Sequence, residues 1–205
     1  MNRRLTTTSY SILGLLALRS WTTYELAKQM GRTLHYFWPR AESRLYEEPK
    51  NLVAQGLAHA EKTFVGRRAR TVYSITSEGR QALQDWLSTA ASPPVLECET
   101  AVRLIYADYG TKDDLVAAIA TVQQTAEKMQ KHGIQIAQEY QKGQAPFQER
   151  AYLNMLMFDF LWRYSEALRR WAEAAQSTIA TWQDLTPDGK IATMEPINIE
   201  TGEKK

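Results

Sequence analysis

The amino-acid sequence predicts a mainly α protein with a small β-hairpin wing, arranged as an N-terminal winged helix-turn-helix followed by a C-terminal helical dimerisation domain. Three observations predict it. Residues 1–57 read as three short helices joined by brief links, the order of a helix-turn-helix unit. After Gly56 the apolar period changes from helical to alternating, over two runs separated by an arginine-bearing turn. Beyond a small, doubly proline-punctuated stretch, Ser88–Pro94, apolar residues recur in alternating steps of four and three. The divisions expected are residues 1–88 for the winged unit, 89–185 for the helical domain and 186–205 for a flexible tail without periodicity.

At 205 residues, 44% hydrophobic and 23% charged, the chain can bury a sizeable core and is not of disordered composition. Its one cysteine, Cys98, excludes an internal disulfide and fits a reducing compartment. The strongest apolar run, Tyr10–Leu18, is far too short to span a bilayer and lacks the flanks of a signal peptide. A cytoplasmic protein with no membrane partner is expected. The net charge of +2 is uninformative, but its distribution is not. Residues 1–88 hold 13 Lys and Arg against 7 Asp and Glu, and the remainder 12 against 16. A basic half joined to an acidic half suits one part meeting phosphates and another meeting protein.

The hydroxyl run Thr6–Ser9 supplies N-caps for a first helix, whose Ile12, Leu13, Leu15, Leu16 and Leu18 are buried on most sides. Gly14 is expected to admit a close neighbour, and Arg3 and Arg4 lie ahead on an arm. Thr22 or Thr23 caps a second helix, Tyr24–Met30, which Gly31 is expected to end. The third helix is read over Phe37–Leu57, with Leu45, Pro49, Leu52 and Val53 inward and Arg40, Ser43, Arg44, Tyr46, Glu47 and Lys50 outward. Gly56 stands where a left-handed cap would stop it. Pro49 cannot donate to the carbonyl of Leu45, so a kink or split is expected there, leaving Arg40–Tyr46 intact.

The runs LAHAEKTF and TVYSIT read as strands, with Gly66 at the turn and Arg67, Arg68 and Arg70 clustered at its tip. Three arginines in a turn are ordinarily solvated charge. After a three-helix unit, phosphate or minor-groove contact is the better reading. Thr76–Gly79 opens a fourth helix bearing Leu83, Trp86 and Leu87. Past the prolines one helix is expected over Glu97–Tyr109, carrying Val102, Leu104, Ile105 and Tyr109. Gly110–Asp113 breaks and recaps the chain. Leu115, Ile119, Val122, Ala126, Met129, Gly133, Ile136 and Tyr140 then hold a heptad seam, in which Gly133 is a soft spot of about 1 kcal/mol. After the turn at Gly143–Pro146, a last helix over Gln148–Trp182 repeats Leu153, Met157, Phe160, Tyr164, Leu168, Trp171 and Trp182, widened by Leu156, Phe158 and Leu161. One intramolecular neighbour cannot cover so broad a stripe, so a second chain is inferred. Its seam is placed at Leu153, Leu156, Met157, Phe160, Tyr164, Leu168 and Trp171.

With these residues in place, the chain resembles the PadR family of transcriptional regulators from about Thr7 to Leu185. The likeness is carried by SILGLLAL, YELAKQM, FWPRAESRLYEEPKNLVAQGLA and GRRARTVYSITSEGRQAL. Ser43, Tyr46, Leu52 and Gly56-Leu57 match the family's reading-helix pattern, and Tyr73, Ile75, Thr76, Gly79 and Arg80 its post-wing pattern. Two positions depart: Thr23 stands where many members have glycine, and Glu47 where many have proline, with Pro49 two places later. The resemblance implies a dimeric repressor whose winged helices sit on a helical C-terminal dimer and release DNA when a small effector binds.

The expected roles follow. Arg40, Ser43 and Arg44 approach base edges and phosphates, Tyr46 and Lys50 hold the backbone, Arg67, Arg68 and Arg70 grip flanking phosphates, and Arg3 and Arg4 add arm contacts. The partners are double-stranded DNA, a second copy of the chain and a small aromatic or hydrophobic effector of unknown site. Trp38, at a linker, is one place for a flat molecule to wedge. His35, His59, His132 and Cys98 show no metal-ligand spacing, and no nucleophile or phosphate-loop motif occurs. No enzyme, metal or cofactor is expected. The rival reading is a winged-helix protein-interaction module on a helical dimer, without DNA binding.

Overall fold

The computed structural model describes residues 4–38, 46–66 and 68–185. The chain divides into two compact units, Met1–Pro94 and Val95–Lys205. Among the described residues it is mostly helical, with one small three-stranded antiparallel sheet.

In the first unit, helix α1 (Thr7–Leu18) begins where Thr6 and Ser9 cap each other reciprocally. The Thr6 N–H donates to Ser9 Oγ at 2.8 Å, and the Ser9 N–H to Thr6 Oγ1 at 3.3 Å. Ile12, Leu13 and Leu16 are buried on it. Gly14 was expected to admit a neighbour, but a Cβ built there meets nothing within 4 Å. Thr22 and Glu25 form the same kind of box at α2 (Thr23–Thr33). Gly31 does not end α2: it lies inside the helix, which runs on into the 3₁₀ turn Leu34–Tyr36. Its exposed backbone carries helix at the ordinary glycine cost.

Helix α3 spans Glu48–Ala54, so the expected single helix from Phe37 is corrected. Pro49 starts this helix rather than kinking one, because its missing N–H is unneeded in a first turn. Positions 39–45, with the inward Leu45, lie outside the described residues. Gly56, at φ +74°, closes α3: its N–H donates to the Val53 carbonyl at 3.0 Å and that of Leu57 to the Leu52 carbonyl at 2.9 Å. This left-handed stop is the one read from the sequence.

Strands β2 (Ala58–Val65) and β3 (Arg68–Ile75) pair from Ala58↔Ile75 to Val65↔Arg68. Gly66, at φ +59°, takes the left-handed turn position. A third strand was not anticipated: β1, Trp21–Thr22, lies against Tyr73 and Val72 on the free edge of β3. Two residues are too few to show a period of two.

Thr76 caps α4 (Ser77–Leu87), and its hydroxyl donates to the Gly56 carbonyl at 2.8 Å while its N–H reaches the Leu57 carbonyl at 3.2 Å. Gly79 then crosses so near that a Cβ there would stand 2.1 Å from the Leu57 oxygen. The α4 start is thereby locked to the α3 stop. Tyr10 of α1 stacks on Trp86 of α4 with ring centroids 4.7 Å apart, planes 4° from parallel.

In the second unit, α5 is shorter than expected, Glu99–Ile105, followed by a 3₁₀ turn at Ala107–Tyr109. Tyr106, at φ −118° and ψ 22°, leaves the helical region and separates them. Thr111 caps α6 (Lys112–Gln141), and α7 spans Ala151–Ala180 after a 3₁₀ turn at Gln148–Arg150. The two long helices run antiparallel, as their cross-links show. Lys112 meets the Trp182 carbonyl, Gln123 meets Gln176, Gln130 meets Glu166, and Tyr140 meets Asn154. Leu115, Ile119, Val122, Ala126 and Met129 bury the first part of the heptad seam. Facing them, Ala172 and Ile179 are buried, and Leu104, Trp182 and Leu185 pack on the same cluster. Gly133 is more than a soft spot: a Cβ there would lie 3.1 Å from the Phe158 ring, so the missing side chain makes room for an aromatic.

Candidate nucleic-acid interface

Two residues expected at the interface flank the start of α3 and face solvent. Tyr46, in the turn just before the helix, is 64% exposed, and Lys50 on its first turn is exposed. Between them Pro49 is fully buried, Glu48 is 4% exposed and, one turn on, Leu52 is 0% exposed. The helix is therefore seated on its inner face while its outer face remains open, as a groove-facing element requires. Arg4 is exposed ahead of α1. Arg3, Arg40, Ser43, Arg44 and Arg67 lie outside the described residues.

Of the three wing arginines, Arg68 and Arg70 fall on strand β3. Arg68 opens β3 opposite Val65, and Arg70 sits inside the strand opposite Thr63, whose hydroxyl accepts from Arg70 Nε at 3.1 Å. Pairing of the two strands runs out to Val65↔Arg68, which places Arg70 inside the ladder. Arg70 nonetheless remains exposed. Glu25 lies on the same side of the unit. The Thr22 N–H and hydroxyl hold its carboxyl below the ordinary value, helped by the charges of Arg19 and Arg70.

Sequence reasoning missed Glu48. It accepts the Ser9 hydroxyl proton at 2.5 Å and Asn51 Nδ2 at 3.2 Å in a buried setting. The available signal was its spacing: position 48 stands four before Leu52, on the inward face. Trp38, considered for an effector, donates its indole N–H to Thr8 Oγ1 at 3.2 Å.

The residues assigned to a dimer seam lie on α7. Leu153, Leu156, Phe160, Tyr164 and Trp171 are 41, 72, 53, 36 and 40% exposed, and Met157 and Leu168 are half-buried. The rings of Phe160 and Tyr164 lie nearly parallel, 6.5 Å apart. The face of α7 that meets α6 is a different one, through Phe158, Ser165, Ala172 and Ile179. A single chain thus leaves an aromatic stripe uncovered on α7 from Tyr152 to Trp171. No helix among the described residues is long and apolar enough to cross a membrane.

The family described as "Transcriptional regulator PadR-like family" matches residues 12–85. The chain is similar to the negative transcriptional regulator PadR of Bacillus subtilis (strain 168), 33% identical over 79 residues, which are 38% of this chain and 43% of that one. The matched part is less than half the length of that relative. Among solved structures, the chain is similar to Bacillus subtilis PadR in complex with operator DNA. The TM-score is 0.67 at 20% identity, covering 85% of this chain and 99% of that one. For the same protein in complex with p-coumaric acid the TM-score is 0.58 at 22% identity, covering 84% and 98%. At these identities the structural likeness shows the fold, and the winged-helix class read from the sequence holds.

Proposed function

We propose, from the premise that residues 12–85 are a PadR-family domain, that this chain is a sequence-specific DNA-binding transcriptional regulator. It acts as a homodimer on an inverted-repeat operator and represses transcription. The observation that carries the reading is the seated α3 with its solvent-facing Tyr46 and Lys50, beside a wing bearing Arg68 and Arg70. Both elements present cations from the basic half of the chain, and duplex DNA is the polyanion this geometry fits.

The homodimer is supported by the uncovered α7 stripe. Two copies joined there would hold two α3 elements at a fixed separation, which is what an inverted repeat reads. A small aromatic or hydrophobic molecule releases the DNA; support comes from the Bacillus subtilis PadR structure that contains p-coumaric acid.

Selection of bound fragments from a randomised duplex library tests this directly. Enrichment of an inverted repeat, with half-sites about one helical turn or a multiple apart, is expected. On the enriched duplex, Arg44→Ala relaxes base preference by about 1–3 kcal/mol. Arg68→Ala weakens all duplexes alike and lowers the salt slope by about one ion. A library recovered without enrichment, even at low ionic strength, leaves the protein-interaction reading in its place.

A further inference from the structure

Helix α1 carries two adjacent buried hydroxyls, Thr8 and Ser9, 4% and 0% exposed. Thr8 receives the indole N–H of Trp38 at 3.2 Å, and Ser9 donates to Glu48 Oε1 at 2.5 Å. Neighbouring residues of one helix therefore hold a side chain from each of two sequence-distant positions.

With Glu48 as acceptor, the protons around Ser9 have one consistent arrangement. Its oxygen accepts the Thr6 N–H at 2.8 Å, and its single hydroxyl proton goes to Glu48. Thr6 Oγ1, 3.1 Å away, must then be the donor in its contact with Ser9. The second Glu48 oxygen accepts from Asn51. Both carboxylate oxygens are thus engaged, in a residue 4% exposed.

Holding a carboxylate there is expensive compared with an apolar side chain of similar size. Pro49 and Leu52 already bind α3 to the unit by burial. Apolar contact, however, is non-directional and tolerates rotation of a short helix about its own axis. Hydrogen bonds do not tolerate it: a network with every member satisfied selects one geometry. What such a rotation would move is known, because Tyr46 and Lys50 stand two residues before and two after Glu48 and face solvent.

We propose that Glu48 is a specificity-determining positioning residue: bound to Ser9, it sets the rotation of the first turn of α3, and so the direction in which Tyr46 and Lys50 grip the DNA backbone and the register in which the unit reads bases. It touches no nucleic acid itself. The inference rests on the DNA-binding reading above.

The test uses the full-length protein and two duplexes: the one enriched from the randomised library by wild type, and a scrambled duplex of equal length. Ser9→Ala, Glu48→Gln and their combination are compared with wild type for affinity, salt slope and thermal midpoint. Each single substitution is expected to lower the ratio of enriched to scrambled affinity by about tenfold. Affinity and salt slope on the scrambled duplex stay at wild-type values, and the double variant is no worse than the weaker single. An unchanged ratio in a selective wild-type background overturns the proposal alone. So does parallel weakening on both duplexes in step with lost thermal stability, which is the signature of a merely structural bond. Wild type that binds neither duplex overturns the DNA-binding reading and this proposal together.

Discussion

The two units solve the problem of specifying a fold in opposite ways. The first is knit by short-range polar devices: reciprocal caps at Thr6/Ser9 and Thr22/Glu25, the left-handed stop at Gly56, and Thr76 bonded to the α3 terminus. Its apolar core, Ile12, Leu13, Leu16, Leu26 and Leu52, is essentially closed. The second is two 30-residue helices laid antiparallel, with its most aromatic face left in solvent. The first unit closes its core within one chain; the second leaves in solvent the broad apolar face on which the proposed homodimer rests.

The comparison is broken most readily at α7. Leu156→Glu combined with Phe160→Glu places charges on the uncovered stripe, and a two-fold interface meets each substitution twice. The dimer dissociation constant should rise by about a thousandfold or more. Sedimentation equilibrium showing an unchanged dimer would mean that the stripe is not the seam and that the second unit is complete by other means.

Next in size is a matched pair of glycines. Gly79→Ala forces a methyl carbon against the fixed Leu57 carbonyl and should destabilise the protein by about 3 kcal/mol. Gly133→Ala meets only the rim of the Phe158 ring and recovers helix propensity, so its net effect should stay within about 1 kcal/mol. Urea unfolding of both variants reads the difference. Equal losses would erase the contrast between a unit held by backbone fit and one held by adjustable side chains.

The smallest effect is acid-dependent. Glu166 is held down to about 2 by hydrogen bonds from Arg169, then Arg170 and Gln130, against an ordinary value of 4.5. A lowered carboxylate contributes stability that is complete above pH 4.5 and is lost as pH falls toward 2. The thermal midpoint should fall through that window, and Glu166→Gln should flatten the fall by a few degrees at most, since the network is solvent-screened. A midpoint equally acid-sensitive in the variant would assign the loss to other carboxylates.

Legibility in the sequence followed the same division. The heptad seam of α6 was plain because Leu115, Ile119, Val122, Ala126 and Met129 repeat long enough for period to speak. The Gly56 stop and the Gly66 turn were legible because each position requires a positive φ. The α7 stripe was legible as excess apolar area. What stayed hidden depends on contacts between distant segments. The β1 strand is defined only by its pairing with Tyr73 and Val72. The purpose of Gly79 appears only beside the Leu57 carbonyl, and the partner of Glu48 lies 39 residues away. Pro49, read as a kink or split, stands in the first turn of α3, because a proline breaks a helix or begins one according to where the helix starts.

The ammonium of Lys112, on the first turn of α6, reaches the carbonyls of Ala180 and Trp182 at the end of α7. One cation thus staples the open mouth of the hairpin, opposite the bend at Gly143, and Leu185 tucks in beside it. Cargo spliced on after Leu185 would be tethered at that stapled mouth and would leave the bend unencumbered. Insertions belong at the bend, while trimming should stop short of the staple.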